Sequence, residues 1–347
     1  SSFSRYSCAP HMYRPHTWQR EPGIRLASSR DLDSGKLQGP CVVRKPDGGF
    51  RLFYTAVGPG KPFPNCQGYI LSAVSSDGVN FEKEPGFRLI PQPDIPHMSL
   101  RVLVPSIISV GNGWRMYFES RGAADRPFVI CSAFSTDQLT WQFEDGIRFQ
   151  AAGSTGGPRY SELPDGRGRL YCCGTTPEEP IAGGVVSAIT TDGLNFDMEP
   201  GYRIRDNQHD YDSAGCTAAQ VVATGGGGWS MVFSTWQDVP PGTDVPPHPC
   251  TDPEAEANGS SAGFAAASIA ADIAGYRSRI FMAYSADGLV WEHGECVIDG
   301  AGYGGDGADA VHAEDMSVIR LDDGRYRMYY AACDNDGFWS VASAVTT

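Results

Sequence analysis

The sequence predicts an all-β fold, and three observations point there. Glycine (42 residues) and proline (25) are too frequent for a helical bundle and suit many short strands joined by tight turns. The chain also repeats itself, and its last repeat is completed by its first residues. Four segments read alike: SAVSSDGVNFEKEPGFRLI (72–90), SAFSTDQLTWQFEDGIRF (132–149), SAITTDGLNFDMEPGYRI (187–204) and MAYSADGLVWEHGECVI (282–298). Each joins a strand of small alternating residues to a second strand through a tight Asp-Gly type turn and an aromatic: Phe81, Trp141, Phe196 or Trp291.

Upstream of each lies another hairpin, built from an apolar run, a Gly-rich turn and an aromatic-rich run. These occupy 41–56, 106–120, 160–174 and 218–235, with a fifth, SVIRLDDGRYRMYYAA, at 317–332. The fifth second hairpin is split: WSVASAVTT (339–347) matches the first strand of the repeat and TWQREPGIRLA (17–27) matches its second. A unit closed by the opposite end of the chain implies a ring rather than an open array. The expected architecture is therefore one domain over 1–347, a five-bladed β-propeller with four antiparallel strands per blade, closed in its last blade by the N-terminal strand. Turn residues Asp77, Asp137 and Asp192 are 60 and 55 residues apart, whereas Asp192 and Asp287 are 95 apart. The excess falls in 239–276, a proline-rich insertion in blade four with too few apolar residues for a core of its own. It is expected to lie over the funnel mouth as a lid or rim.

Composition bounds the partners. A hydrophobic content of 41% can bury a substantial core, and a net charge of −14 opposes a phosphate backbone, so nucleic acid is not expected. No apolar run approaches the roughly 18 to 20 residues of a membrane span, and 1–20 is too polar for a signal peptide. The expected location is cytoplasmic, with secretion after removal of a leader left open, and the expected partner is a small-molecule substrate. Cys41, Cys131, Cys172, Cys173, Cys216 and Cys333 lie in apolar strand-like runs without paired CxxC spacing, which reads as buried thiols rather than a zinc site.

Within each blade the strands are A to D outward from the axis. The A–B and C–D turns are uniformly short, whereas the loops on the other face are long: 58–67, 91–104, 175–183, 206–215, 239–276 and 300–314. Function belongs on the long-loop face. Asp77, Asp192 and Asp287 sit opposite and read as turn formers.

The repeated S-x-DG-x-x-W/F hairpin and SVIRLDDGRYRMYY resemble the five-bladed propeller glycoside hydrolases, the arabinanases, β-xylosidases, invertases and relatives acting on mannosyl linkages. The resemblance spans almost the whole chain at the level of repeat architecture. It implies a glycosidase-like enzyme in which a carboxylate opens an innermost strand as an Asp-Pro pair and a Glu supplies the acid. Here the aligned positions read Gly39-Pro40, Val104-Pro105, Gly157-Pro158, Gly215-Cys216 and Asp315-Met316. Only blade five keeps the acid.

Glycoside cleavage needs one protonated and one ionised carboxyl about 5 to 9 Å apart. Glu119, inside the apolar run MYFES, is either a general acid or the ion-pair partner of Arg121 or Arg126. Asp315 fills the motif position and is either the base or a ring-closing partner of Arg159. Asp212 and Glu314 are further acids that could act or hold a loop. His97, His209 and His312 each precede an A strand, so they suit either acid–base work or loop anchoring. No HxH or HExxH spacing accompanies them, and neither a metal nor another cofactor is expected. Tyr54, Tyr211 and Trp236 suit a sugar ring or inter-blade packing, and Arg159 and Asp238 complete the substrate-binding candidates. Three functions remain open: a glycosidase-like enzyme acting on a small sugar, polyol or glycoside; a lyase, cyclase or isomerase on the same scaffold; and a non-catalytic propeller binding glycan or protein.

Overall fold

The computed structural model describes residues 16–29, 31–123, 125–180, 183–205, 215–238, 241–243 and 276–347. All regular structure among these residues is strand. Two short strands come first, β1 (Trp18–Arg20) and β2 (Leu26–Ala27). Blade one is β3 (Lys36–Arg44), β4 (Phe50–Val57), β5 (Tyr69–Ser75) and β6 (Glu82–Lys83). Blade two is β7 (Arg101–Val110), β8 (Gly113–Arg121), β9 (Val129–Ser135) and β10 (Gln142–Phe149). Blade three is β11 (Gly156–Glu162), β12 (Gly168–Gly174) and β13 (Gly184–Thr190), with its outer edge split into β14 (Asp197–Met198) and β15 (Ile204–Arg205). Blade four is β16 (Gly215–Ala223), β17 (Trp229–Asp238), β18 (Tyr276–Ser285) and β19 (Glu292–Ile298).

Blade five is β20 (His312–Arg320), β21 (Tyr326–Cys333) and β22 (Trp339–Thr346), completed by the first two strands of the chain. Trp18 faces Thr346 and Leu26 faces Val341 in antiparallel register. The ring is closed as the split repeat requires. The expected lid lies almost wholly outside the described residues.

The repeat has a chemical basis in each half of the blade. In the C–D turns Asp77, Asp192 and Asp287 accept the backbone N–H groups two and three residues ahead. Those donors hold the Asp77 and Asp192 carboxyls far below the usual carboxylate range. In four blades a B-strand arginine makes two bonds to a D-strand glutamate: Arg51–Glu84, Arg115–Glu144, Arg169–Glu199 and Arg327–Glu21. A C-strand serine donates to the same glutamate in every case: Ser72, Ser132, Ser187 and Ser343.

Every A strand carries a one-residue bulge, at one register between Gln38 and Cys41, Leu103 and Ser106, Gly156 and Arg159, and Glu314 and Ser317, and one step nearer the strand start between Cys216 and Ala218 in blade four. The bulged position is Gly39, Val104, Gly157 or Asp315 in four blades, with φ of 58°, 49°, 59° and 51°. Glycine takes this left-handed conformation freely, whereas Val104 and Asp315 are strained in it. Pairing also corrects the alignment of blade four. Ala218 stands at the register of Gln38 and Leu103, so the position of Gly39-Pro40 falls at Ala219, beyond Gly215-Cys216; β16 has no proline to mark it, and only the strand register reveals it.

Candidate functional site

The A strands start, and the B strands end, on the long-loop face. There the inner strands enclose a cavity of about 340 Å³. Blade one lines it with Lys36 and Gln38, blade two with Arg101, Leu103, Val104, Glu119 and Arg121, blade three with Gly156, Gly157 and Cys173, blade four with Cys216 and Trp236, and blade five with Asp315. Three expected site residues, Glu119, Asp315 and Trp236, therefore meet at one cavity.

Glu119 is buried at the end of β8, opposite Leu103. Its Oε1 lies 2.5 Å from Arg121 Nε, and its Oε2 accepts the Gly157 backbone N–H at 3.0 Å. The first contact is one of the ion pairs open to it on sequence. The second is part of the scaffold, for in blade one Thr55, at the same register, accepts the bulge N–H of Val104 at 2.8 Å. A hydroxyl is enough for that duty, so the carboxylate exceeds it. Gly156 makes room: a Cβ there would overlap the Glu119 carboxylate.

Asp315 is 2% exposed and sits at the strained bulge, its N–H donated to Ser234 Oγ at 3.2 Å. Strain of this kind concentrates at functional sites. Glu314, beside it, is buried and accepts Gln38 Nε2 at 2.9 Å. Trp236 is half-buried with its ring 6.1 Å from that of His312.

Other expectations are corrected. Arg159 is 1% exposed and is not a substrate ligand. Its guanidinium lies on the propeller axis, donating to the carbonyls of Pro40, Pro105, Pro158, Asp315 and Met316 at 2.8 to 3.4 Å. It ties four blades together through carbonyl dipoles, which offset the burial of its charge, and it holds the backbone rather than the side chain of Asp315. Tyr54 is equally buried in the core beside Leu37 and Leu71, its hydroxyl donated to Asp33 Oδ2 at 3.1 Å, so it faces no ligand.

Of the expected histidines, the two described ones, His97 and His312, do not line the cavity. His312 is fully buried, stacked on Trp339 at 5.5 Å, and its Nδ1 accepts the Ser278 N–H at 3.1 Å. Burial, reinforced by Lys36 and Arg277, pushes its imidazole down to about 3, so it stays neutral and cannot shuttle protons near neutrality. His97 is half-buried, lowered by burial and Arg126, and does not line the cavity. His209, Tyr211 and Asp212 lie outside the described residues, as does the side chain of Asp238. Among the described residues no cluster could hold a metal, and all eight cysteines are free thiols.

Sequence reasoning missed Lys36, Gln38 and Arg101. A signal existed: Lys36 and Arg101 stand at the same register, each two residues before a residue that opens a bulge.

No protein-family model and no curated protein matches this sequence. Solved structures match it in fold. A putative glycoside hydrolase from Parabacteroides distasonis superposes with a TM-score of 0.65 at 13% identity, covering 95% of this chain and 97% of the other. A structure from a family of mannoside phosphorylases, described as containing glycoside hydrolases that target β-1,2 mannosidic linkages in Candida mannan, gives 0.63 at 12% identity, covering 96% and 94%. A thermostable family-43 glycoside hydrolase gives 0.58 at 15% identity, covering 91% of each chain. The propeller of this chain is the one on which these glycoside hydrolases are built.

Proposed function

We propose that the chain is a glycoside-cleaving enzyme whose two working carboxyl groups are Glu119 and Asp315, with Trp236 as a wall for the sugar ring. The observation that supports this most is the meeting of two buried acids from blades two and five at one cavity large enough for a sugar. The roles expected from sequence are exchanged in this reading. Glu119 receives a donor on each oxygen, which fixes its carboxyl at the cavity wall, and in this reading it is the base or nucleophile. Asp315, the other carboxyl lining the cavity, is in this reading the proton donor to the leaving group. Chemistry centred on histidine is less favoured in this reading, because His312 belongs to the core and His97 does not line the cavity; His209 lies outside the described residues.

The test is turnover of a panel of 4-nitrophenyl glycosides. Asp315→Asn and Glu119→Gln should each lower it by about a hundredfold or more, since a positioned acid or base contributes about 10²–10⁴. The double variant should lose less than the product of the two effects. Asp192→Asn, in a turn on the opposite face, should leave turnover unchanged. Binding of glycosides without any turnover by the unmodified protein would instead favour a non-catalytic glycan-binding propeller.

A further inference from the structure

We propose that the joint between blades five and one carries a peptide-binding groove, which takes an uncharged extended segment offering one backbone carbonyl to Arg25 and one apolar side chain to Ile24 and Phe81. The groove lies on the short-turn face, away from the cavity of Glu119 and Asp315, and stands apart from the glycoside reading. Its basis is a repeated arginine. In four blades an outer-strand arginine folds back to the carbonyl three residues before it: Arg25 to Pro22, Arg88 to Pro85, Arg148 to Asp145 and Arg203 to Pro200. Three of them also reach the next blade, where Nη1 donates to a leucine carbonyl in the C–D turn: Arg88 to Leu139, Arg148 to Leu194 and Arg203 to Leu289, at 3.0 to 3.5 Å.

Each of those leucines stands two residues after the turn aspartate, so the matching acceptor for Arg25 is Val79, two after Asp77. Among the described residues that bond is not made, and Arg25 keeps only the Pro22 carbonyl. Arg25 is nonetheless 5% exposed, and its Nε is buried without a hydrogen-bond partner. The same is true of Nε in Arg148 and Arg203, so the missing Nη1 bond is what sets Arg25 apart. A buried donor without an acceptor costs about 1–3 kcal/mol, which a ligand carbonyl would recover. The space beside it is open. Here a groove of about 730 Å³ is lined by Ile24 and Arg25 from blade five and by Val74 and Phe81 from blade one, a size suited to a ligand. It continues the inner part of the same joint, where Tyr329 donates to the Gly78 carbonyl at 2.7 Å and packs edge-on against Phe81. The other charged residues at the groove are Lys45, Asp47 and Glu82, and Lys45 lies 3.1 Å from Asp47. Two basic side chains thus meet two acidic ones, which gives a free anion no net attraction. In the sister joints this arginine is satisfied by a neutral carbonyl carried by an apolar residue, and a peptide brings both.

Titration at pH 7 with N-acetyl-Gly-Leu-Asn-amide, followed by NMR, tests this; the probe copies 193–195, whose Leu194 carbonyl accepts from Arg148. It should bind with a dissociation constant on the order of 1 mM, as expected of so small a ligand. N-acetyl-Gly-Gly-Asn-amide, which lacks the apolar side chain, should bind about fivefold more weakly. Arg25→Met, which keeps the stem and removes the donors, should weaken the leucine peptide about tenfold. Ile24→Ser, at a residue 44% exposed and so harmless to the fold, should weaken it about threefold. Should Arg25→Met fail to fold, Ile24→Ser still reports. No binding of the leucine peptide at about 10 mM, equal binding of the two peptides, or affinity unchanged in folded Arg25→Met or in Ile24→Ser would each overturn the proposal. So would tighter binding of acetate, or of a neutral sugar such as cellobiose, than of the leucine peptide.

Discussion

Blade four and its four sisters solve the same packing problem in opposite ways. Where the sisters set Arg169, Glu199 and Ser187 or their equivalents, blade four has Ser230, Gly294 and Met282. The ring of Tyr284 fills the space a side chain on Gly294 would need, and Met282 is buried in the core with Val232. All three polar members are gone together. A half-removed lock would leave a buried charge without its partner, while an intact lock and an apolar filling of similar volume are close in stability. The difference teaches that the Arg–Glu–Ser set is a unit.

A second contrast follows the same line. Tyr117, Tyr171 and Tyr329 each donate their hydroxyl to the carbonyl of a turn glycine in the next blade, Gly193, Gly288 and Gly78. Blade four has Val232 at that register. Its neighbour, blade five, takes its outer strand from the start of the chain, so no turn joins β22 to β1 and no turn carbonyl waits for a hydroxyl.

The severest test of the comparison is removal of residues 1–28. It takes Glu21 from Arg327 and leaves β22 as a bare edge. Stranding the arginine alone is worth about 3–5 kcal/mol, so the melting temperature should fall by about 10 °C at about 2–4 °C per kcal/mol, with aggregation. An unchanged melting temperature would break the closure. Next comes Glu199→Leu, expected to lose about 3–5 kcal/mol in urea unfolding by leaving Arg169 alone, whereas Arg169→Met with Glu199→Leu should return to within about 1 kcal/mol of the parent. If the double variant is as unstable as the single, the lock is not a unit. The smallest effect sharpens the second contrast: Tyr171→Phe should lose about 1 kcal/mol in urea unfolding with its hydrogen bond to the Gly288 carbonyl. A Tyr171→Phe variant as stable as the parent would refute that account.

The blades and their closure were legible because turn chemistry and strand alternation are local. The Asp-Gly turns, the aromatic after each, and EPGIRL at 21–26 each declare their element without help from distant residues. Asp315 was legible too, from its place in the repeat. Arg159 was not. Its role depends on carbonyls from blades one, two and five, which no spacing in its own strand reveals, and the same is true of Tyr54 and its partner Asp33. The blade-four bulge escaped because the template relied on proline, whereas pairing with β17 is what sets the register. Lys36 and Arg101 were within reach, and became visible only once the bulges had been aligned in space.

The closing strand also has a place in time. Glu21 is synthesised 306 residues ahead of Arg327, its partner in blade five. At about 5–20 residues per second, that carboxylate waits on the order of 15 to 60 s for its arginine, while blades one to four can pair their own strands as they emerge. The ring is therefore the last thing to form, and a nascent chain halted before β22 would expose both its first strand and the flank of blade one to any other unfinished copy nearby.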